Sequence, residues 1–474
     1  MGGYRSVAIW PRKSPRKRTT LPGGHEGAFL TSTLLLGVFL CISSLNVSAS
    51  TAVVTPPNTA PCRNVTSFNT ISQAIAHVPA GSTIYICPGT YAEQIVITKK
   101  LTLIGESANG LAGGSASGAE NPVILSPTGG VVVNAADLYD NSPIAAQIAV
   151  LSPGGTVNVS NLTIDGSNND LSGCGTNLVG VLYQNASGTI NHVVTRYQEL
   201  DPSDFGCQDG LAIFVQSGYS SGGTATVTIE DSSVHDYDKN GITADGSGTV
   251  ATITGNYVAG IGATPLTAQN GIQVSFGAAG AVKDNTVTDD VYVNPADCGM
   301  SNSCYSATGI LLYDSGGTNS SPVTISGNTV SNTQGAIVAV TDGGETADYN
   351  NVTSNKISTN AAIVVTGATY LLDGIDLCSN NNTATSNTVY NSSGAGVHLD
   401  SECSEPGGAA TGIGTATHNT VNEACTGVLL GNSGGTQSGT IAYNVVETSY
   451  AGDSCPVGYS AKTRGKAKPQ PRHR

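Results

Sequence analysis

The sequence predicts an all-β fold, a single-stranded right-handed parallel β-helix: a solenoid of about a dozen coils with a short N-terminal capping helix. Three observations point to it. First, a strand, turn and strand unit repeats along the chain, clearest in Val323-Thr-Ile-Ser-Gly-Asn328-Thr-Val330 and the following Gly335-Ala-Ile-Val-Ala-Val340. Its anchor returns at Asn256, Asn285, Asn355, Asn387, Asn419 and Asn444, with earlier copies at Asn191 and Ser232, spaced 41, 24, 29, 43, 27, 32, 32 and 25 residues apart. Second, 60 glycines in 474 residues, with few charged or aromatic side chains, suit a chain dense in turns. Third, the apolar residues alternate or form short β-branched runs, as in Gly271-Ile-Gln-Val and Gly427-Val-Leu-Leu, bounded by Gly, Asn or Ser.

A unit this short cannot bury its apolar residues alone, so neighbouring units must stack, Val on Val and Asn on Asn. An asparagine at the repeated turn can adopt the left-handed conformation, and its amide can bond to its counterparts above and below. The competing architecture, an antiparallel β-sandwich array, would need hairpin dipeptides at matching offsets, and these do not recur.

In chain order, residues 1–49 read as a signal peptide with a basic leader. Arg12, Lys13, Arg16, Lys17 and Arg18 precede the apolar run 28–45, and Val47-Ser-Ala49 offers small residues for cleavage. The run is broken by Thr31, Ser32, Thr33 and Gly37, so it predicts export and no transmembrane segment in the mature chain. The Pro- and Thr-rich residues 50–66 read as a linker into a single β-helix domain, 67–460. Phe68 to Val78 is the helix candidate, with Ile71, Ala74, Ile75 and Val78 on one face and Pro79 ending it. Residues 106–150 carry only weak rungs, and the basic tail 461–474 reads as disordered.

Ten of the eleven cysteines follow the leader. An even number in an exported chain predicts disulfides, paired between near neighbours: Cys62–Cys87, Cys174–Cys207, Cys298–Cys304, Cys378–Cys403 and Cys425–Cys455. The address is secreted, cell-surface or periplasmic. Between leader and tail lie seven basic and 32 acidic residues, a net charge of −25. So acidic a body repels polyanions, which excludes nucleic acid as its partner and leaves polysaccharide. The basic tail offers a contact for cell wall or membrane surface, and the chain is expected to be a monomer.

The stretch Gly89-Thr-Tyr91-Ala-Glu93 followed by Leu101-Thr-Leu-Ile-Gly105 resembles the entry coil of the pectin lyase-like superfamily, in particular its pectin methylesterases. The resemblance covers about forty residues that build first coils. The later esterase motifs are not matched: there is no Arg-Pro-Trp, because the one tryptophan is Trp10. The resemblance implies a carbohydrate-engaging protein. Polysaccharide lyases of the superfamily pair acidic Ca²⁺ ligands with an Arg or Lys that removes the proton α to a uronate carboxylate.

Charge concentrates between residues 196 and 245, and the two longest anchor spacings place extra sequence at 195–209 and 288–308. On coils three steps apart, these loops should rise as walls roughly 14 Å apart, with residues 235–239 and 260–270 as floor. In that groove Arg196 or Lys239 is the candidate base, with Asp209 and Asp236 as further catalytic candidates. Asp204, Asp209, Asp236 and Asp238 are the candidate Ca²⁺ ligands. A hydrolase would instead set Asp289 or Asp290 across from Asp209 or Asp236. The reading from another class is a non-catalytic glycan-binding, adhesin or structural β-helix. His398 is expected at an outward, surface position.

Overall fold

Each repeat contributes one strand to each of three sheets, and every sheet runs parallel from coil to coil. The computed structural model describes residues 5–7, 48–107, 121–207, 209–293, 304–341, 347–359, 373–400, 413–430 and 438–446. The first sheet has 14 strands and runs from Thr66–Phe68 and Thr51–Val54 at one edge to Ser438–Ala442 at the other. The second sheet collects the short strands after the Asn turn, among them Val194–Arg196, Ser233–His235 and Tyr257–Thr264. The third collects the strands opened by glycine or asparagine, among them Leu211–Gln216, Asn240–Asp245 and Asn270–Ser275.

Register stacks like on like. Along the third sheet, Ile148, Val181, Ile213, Ile242, Ile272, Ile310, Ile337, Ile375, Val397 and Val428 lie over one another. All are buried in one continuous core. Each such side chain contributes about 1.5–3 kcal/mol of apolar burial, which is what holds coils together that share only their neighbours.

At the corner between the first and second sheets the asparagines form a ladder. The backbone N–H and the side-chain Nδ2 of Asn256 both donate to Asn285 Oδ1 at 2.9 Å. The same pair of bonds links Asn285 to Asn328, then Asn355, Asn387, Asn419 and Asn444. Two details differ from the sequence expectation. The left-handed residue is the one before each asparagine: Gly255, Asp284, Gly327, Ser354, Ser386, His418 and Tyr443 all have φ between 53° and 69°. In the earlier coil His192 takes that conformation, so Val193, not Asn191, holds the ladder position, and its N–H donates to Ser232 Oγ at 3.1 Å. A chain that steps sharply away from the axis only at the preceding residue leaves the asparagine inside the corner, where its amide meets its neighbours.

A helix runs over Ile71–His77, shorter than the expected Phe68 to Val78 because Phe68 belongs to the strand Thr66–Phe68, and Ile71, Ala74 and Ile75 are buried in it. Thr70 Oγ1 accepts from the Gln73 N–H at 3.1 Å. Glu93, of the entry-coil motif, accepts from the Ile71 and Ser72 N–H groups at 2.8 and 3.0 Å, while Tyr91 donates to the Cys87 carbonyl at 2.8 Å. These motif residues therefore build the first coils. Part of the expected linker is structure: Thr51–Val54 pairs with Ser82–Ile86, and Ala52, Val53 and Val54 are buried. Disulfides join Cys62 to Cys87 and Cys174 to Cys207, as the spacing predicts, and Cys378 is bonded as well. Cys298, Cys403, Cys455 and the tail lie outside the described residues, as does most of the leader.

Candidate functional site

The first and third sheets treat their outer faces differently. On the first sheet burial alternates residue by residue, as in Ala225–Glu230 and Thr249–Thr254. On the third, every residue of Leu211–Gln216, Asn240–Asp245 and Asn270–Ser275 is buried. A strand buried on both faces must be covered, and part of the cover is the segment 131–142, whose Ala135–Ala136 pairs antiparallel with Pro143–Ile144. That segment read as nearly featureless in sequence.

Where it crosses the third sheet it makes a small pocket open to solvent, lined by Asp137, Tyr139, Leu211, Phe214, Tyr219, Asn240, Thr243, Asp245, Gln273 and Phe276. Outward positions in strand register supply the floor: Phe214, Thr243 and Gln273 form one column, and Gln216, Asp245 and Ser275 the next. Tyr139 lies parallel to Phe276 with ring centroids 6.4 Å apart and edge-on to Tyr219 at 5.5 Å. Asn240 donates to Thr243 Oγ1 and Gln273 Oε1, each at 3.0 Å.

Two carboxylates meet here through one amide. Gln216 Nε2 donates to Asp137 Oδ2 at 3.0 Å and to Asp245 Oδ2 at 3.1 Å. Sharing a single nitrogen, these oxygens lie within about 6 Å of each other. The Gln216 carbonyl oxygen accepts from the Leu138 N–H, which fixes which end of the amide faces the acids. Asp245 also accepts from Tyr219 Oη at 2.9 Å and Ser275 Oγ at 3.0 Å. Burial pushes the Asp245 carboxyl up to about 7, the Asp137 charge adds to this, and the hydrogen bonds from Gln216, Tyr219 and Ser275 oppose it. Asp137 is raised too, mainly by burial, against the pull of the Tyr139 N–H and Gln216.

The residues singled out from sequence fall elsewhere. Arg196 does not join the aspartates proposed with it; its Nε donates to Asp165 Oδ2 at 2.8 Å, a pairing between neighbouring coils. The expected floor is interior only in part: Tyr237 and Asp238 are fully buried and Lys239 is 2% exposed, whereas Ala263, Pro265 and Leu266 are exposed. Lys239 Nζ donates to the Ala268 carbonyl oxygen. Burial lowers the Lys239 ammonium and raises the Asp238 carboxyl, so each is pushed toward its neutral form. Asp209 is buried and raised to about 7 by desolvation. Asp236 is half-exposed and accepts from His235 Nδ1 at 2.7 Å, and Asp204 accepts from the Gly173 N–H at 2.8 Å. Asp290, of the hydrolase alternative, is buried and accepts from Tyr237 Oη at 2.6 Å, while Asp289 accepts from Asn332 Nδ2.

The 195–209 loop is tied back to the preceding coil by Cys174–Cys207 and borders a polar hollow with Asn168, Asp170, Tyr197 and Glu199. Of the other wall, residues 294–303 lie outside the described residues. Among the described residues, Asp204, Asp209, Asp236 and Asp238 do not gather into one ligand set. They do not fit a Ca²⁺ ion held by those four side chains.

The grouping that does converge was missed. Asp373, Asp376 and His398 bring ligand atoms within 4.8 Å of one another, farther along the outer face of the third sheet. His398 points outward as expected but is 0% exposed. Its Nδ1 lies 3.0 Å from Asp373 Oδ2, and its Nε2 lies 3.8 Å from Asp400 Oδ1. Burial alone would lower the imidazole; the Asp400 charge, the Asp373 hydrogen bond and the Asp376 and Asp373 charges outweigh it and raise His398 to about 9. Asp376, Cys378 and Asp400 form a second convergent group, but Cys378 is disulfide-bonded and offers no thiolate.

No family model and no curated protein matches the chain. Solved structures do. The GH136 lacto-N-biosidase from Eubacterium ramulus, native protein, superposes with a TM-score of 0.51 at 13% identity over 84% of this chain and 68% of that one. Its selenomethionine derivative gives 0.50 at 12% over the same shares. The A-module of the Azotobacter vinelandii mannuronan C-5 epimerase AlgE4 gives 0.45 at 12%, over 79% of this chain and 88% of that one. At these identities the likeness is one of fold. The chain has a right-handed parallel β-helix fold.

Proposed function

We propose that the chain is an exported, carbohydrate-acting β-helix protein that cleaves a glycosidic bond in the pocket on the outer face of its third sheet. One observation carries the reading: Asp137 and Asp245 share the Gln216 amide beside an aromatic wall. Sugar rings are recognised by just such a mixture, with C–H faces against aromatic rings and hydroxyls against amides and carboxylates. The lacto-N-biosidase that shares the fold acts on a glycan, which agrees with this assignment, although one architecture hosts many activities.

The two acids take different roles: burial raises both, and the charge on Asp137 raises Asp245 further. Asp245, held near pH 7, is the proton donor to the glycosidic oxygen. As the C1–O bond breaks, the Asp137 carboxylate attacks C1 and forms a glycosyl ester. The Asp245 carboxylate then takes a proton from water, which attacks C1 and releases Asp137. A separation near 5–5.5 Å belongs to this double displacement, whereas an inverting pair needs about 6.5–9.5 Å to admit water.

Export fits the two disulfides and the signal expected at 1–49. Among the described residues no helix is long and apolar enough to cross a membrane. The test is stereochemical: ¹H NMR of the first product formed from a cleaved oligosaccharide should show the substrate's anomeric configuration. Inverted product would refute the double displacement.

A further inference from the structure

We infer that this pocket takes an uncharged sugar and excludes uronates, an inference that rests on the glycan reading above and narrows it. The described residues lining it include two carboxylates and no Lys, Arg or His. Lys239, next in sequence to the lining residue Asn240, donates instead to the Ala268 carbonyl oxygen. A uronate placed here would lose its water beside the Asp137 carboxylate with no cation to offset it. That repulsion grows as the dielectric falls.

The rest of the lining suits hydroxyls. Asn240, Thr243 and Gln273 form a neutral network that both donates and accepts. Phe276 and Tyr139 give apolar ring faces. The charge of the whole body acts in the same direction, with seven basic residues against 32 acidic ones between leader and tail. Neutral hexose or N-acetylhexosamine oligosaccharides are therefore the substrate class, and activity needs no bridging Ca²⁺.

The experiment uses the full chain in isothermal titration calorimetry at low and physiological salt, with and without Ca²⁺. The probes are neutral tetrasaccharides and, at equal length, tetragalacturonate and tetramannuronate. Two variants locate the binding: Phe276→Ala, and Tyr139→Arg at a position 38% exposed on the pocket lip, which introduces a cation. A neutral probe should bind, lose about tenfold or more in Phe276→Ala, and show little salt dependence. Uronates should bind on the order of 100-fold more weakly in the wild type and gain in Tyr139→Arg. Uronate binding as tight as neutral binding, and lost in Phe276→Ala, would overturn the substrate class while leaving the glycan site standing. Neutral binding unchanged by Phe276→Ala, or no binding by any sugar, would overturn both.

Discussion

Replacing Asn328 by alanine tests the corner ladder at its centre. Asn328 Oδ1 accepts from the backbone N–H and Nδ2 of Asn285 at 3.0 and 2.9 Å, and its own Nδ2 donates to the Val282 carbonyl and to Asn355 Oδ1 at 3.0 and 2.9 Å. All four bonds go in the variant. The Asn328 backbone N–H still reaches Asn355, and the Asn285 amide keeps its bond to the Ile253 carbonyl. The main damage is the stranded Asn285 backbone N–H, deep in the corner and away from water. An unsatisfied buried donor costs about 1–3 kcal/mol and each further lost bond about 0.5–1.5 kcal/mol, so the whole should come to about 3–5 kcal/mol. Asn444, at the last rung among the described residues and 9% exposed, offers a control in which water can replace the lost amide. Its truncation should cost about 1–2 kcal/mol. Urea unfolding followed by far-UV circular dichroism gives the comparison, and amide hydrogen exchange at Asn285 localises it, since a solenoid need not unfold in one step. A cost below about 1 kcal/mol for Asn328→Ala, or equal costs at the two positions, would refute the argument.

Three further outcomes follow from other parts of the molecule. His398 is raised from 6.5 to about 9, so its contribution is fully present below pH 6.5 and is lost as the pH rises through 9. That is worth about 3 kcal/mol, and thermal midpoints between pH 6.5 and 9.5 should fall more steeply in the wild type than in His398→Gln. Asp245 is raised from 3.8 to about 7, so its contribution is favourable below pH 3.8 and is lost as the pH climbs through 7. Asp245→Asn should therefore be the more stable protein at pH 8, by up to about 4 kcal/mol, in the same thermal assay. Removing the Cys174–Cys207 bond, which closes a span of 33 residues, should destabilise by about 3–4 kcal/mol in denaturant titrations.

The architecture was legible because its physics repeats. Isoleucine over isoleucine and asparagine over asparagine leave a periodic trace, and even the unequal spacings survive in it. The phase was misread once, at Asn191, because a polar residue two positions early mimics the anchor when Val193 occupies the real one. The site left a fainter trace. Asp137 sits in a segment with only weak rungs, and it meets Asp245 and Gln216 only because that segment crosses several coils. One signal was available: Leu211-Ala-Ile-Phe-Val lacks polar alternation, which marks a strand covered on both faces. Carrying the inward phase forward to Gln184, Gln216, Asp245 and Ser275 would have placed them on one outer column. Charge density misled in the other direction. Asp238 and Lys239 are close in sequence and space, yet their burial leaves no access for a substrate.

The most direct measurement is the turnover of a neutral oligosaccharide by the wild type, Asp137→Asn and Asp245→Asn, with the fold of each checked by circular dichroism. The pocket assignment predicts that each substitution lowers kcat by at least about 100-fold while the β-helix stays intact. Full activity in both variants, or no cleavage of any neutral glycan by the wild type, would contradict it.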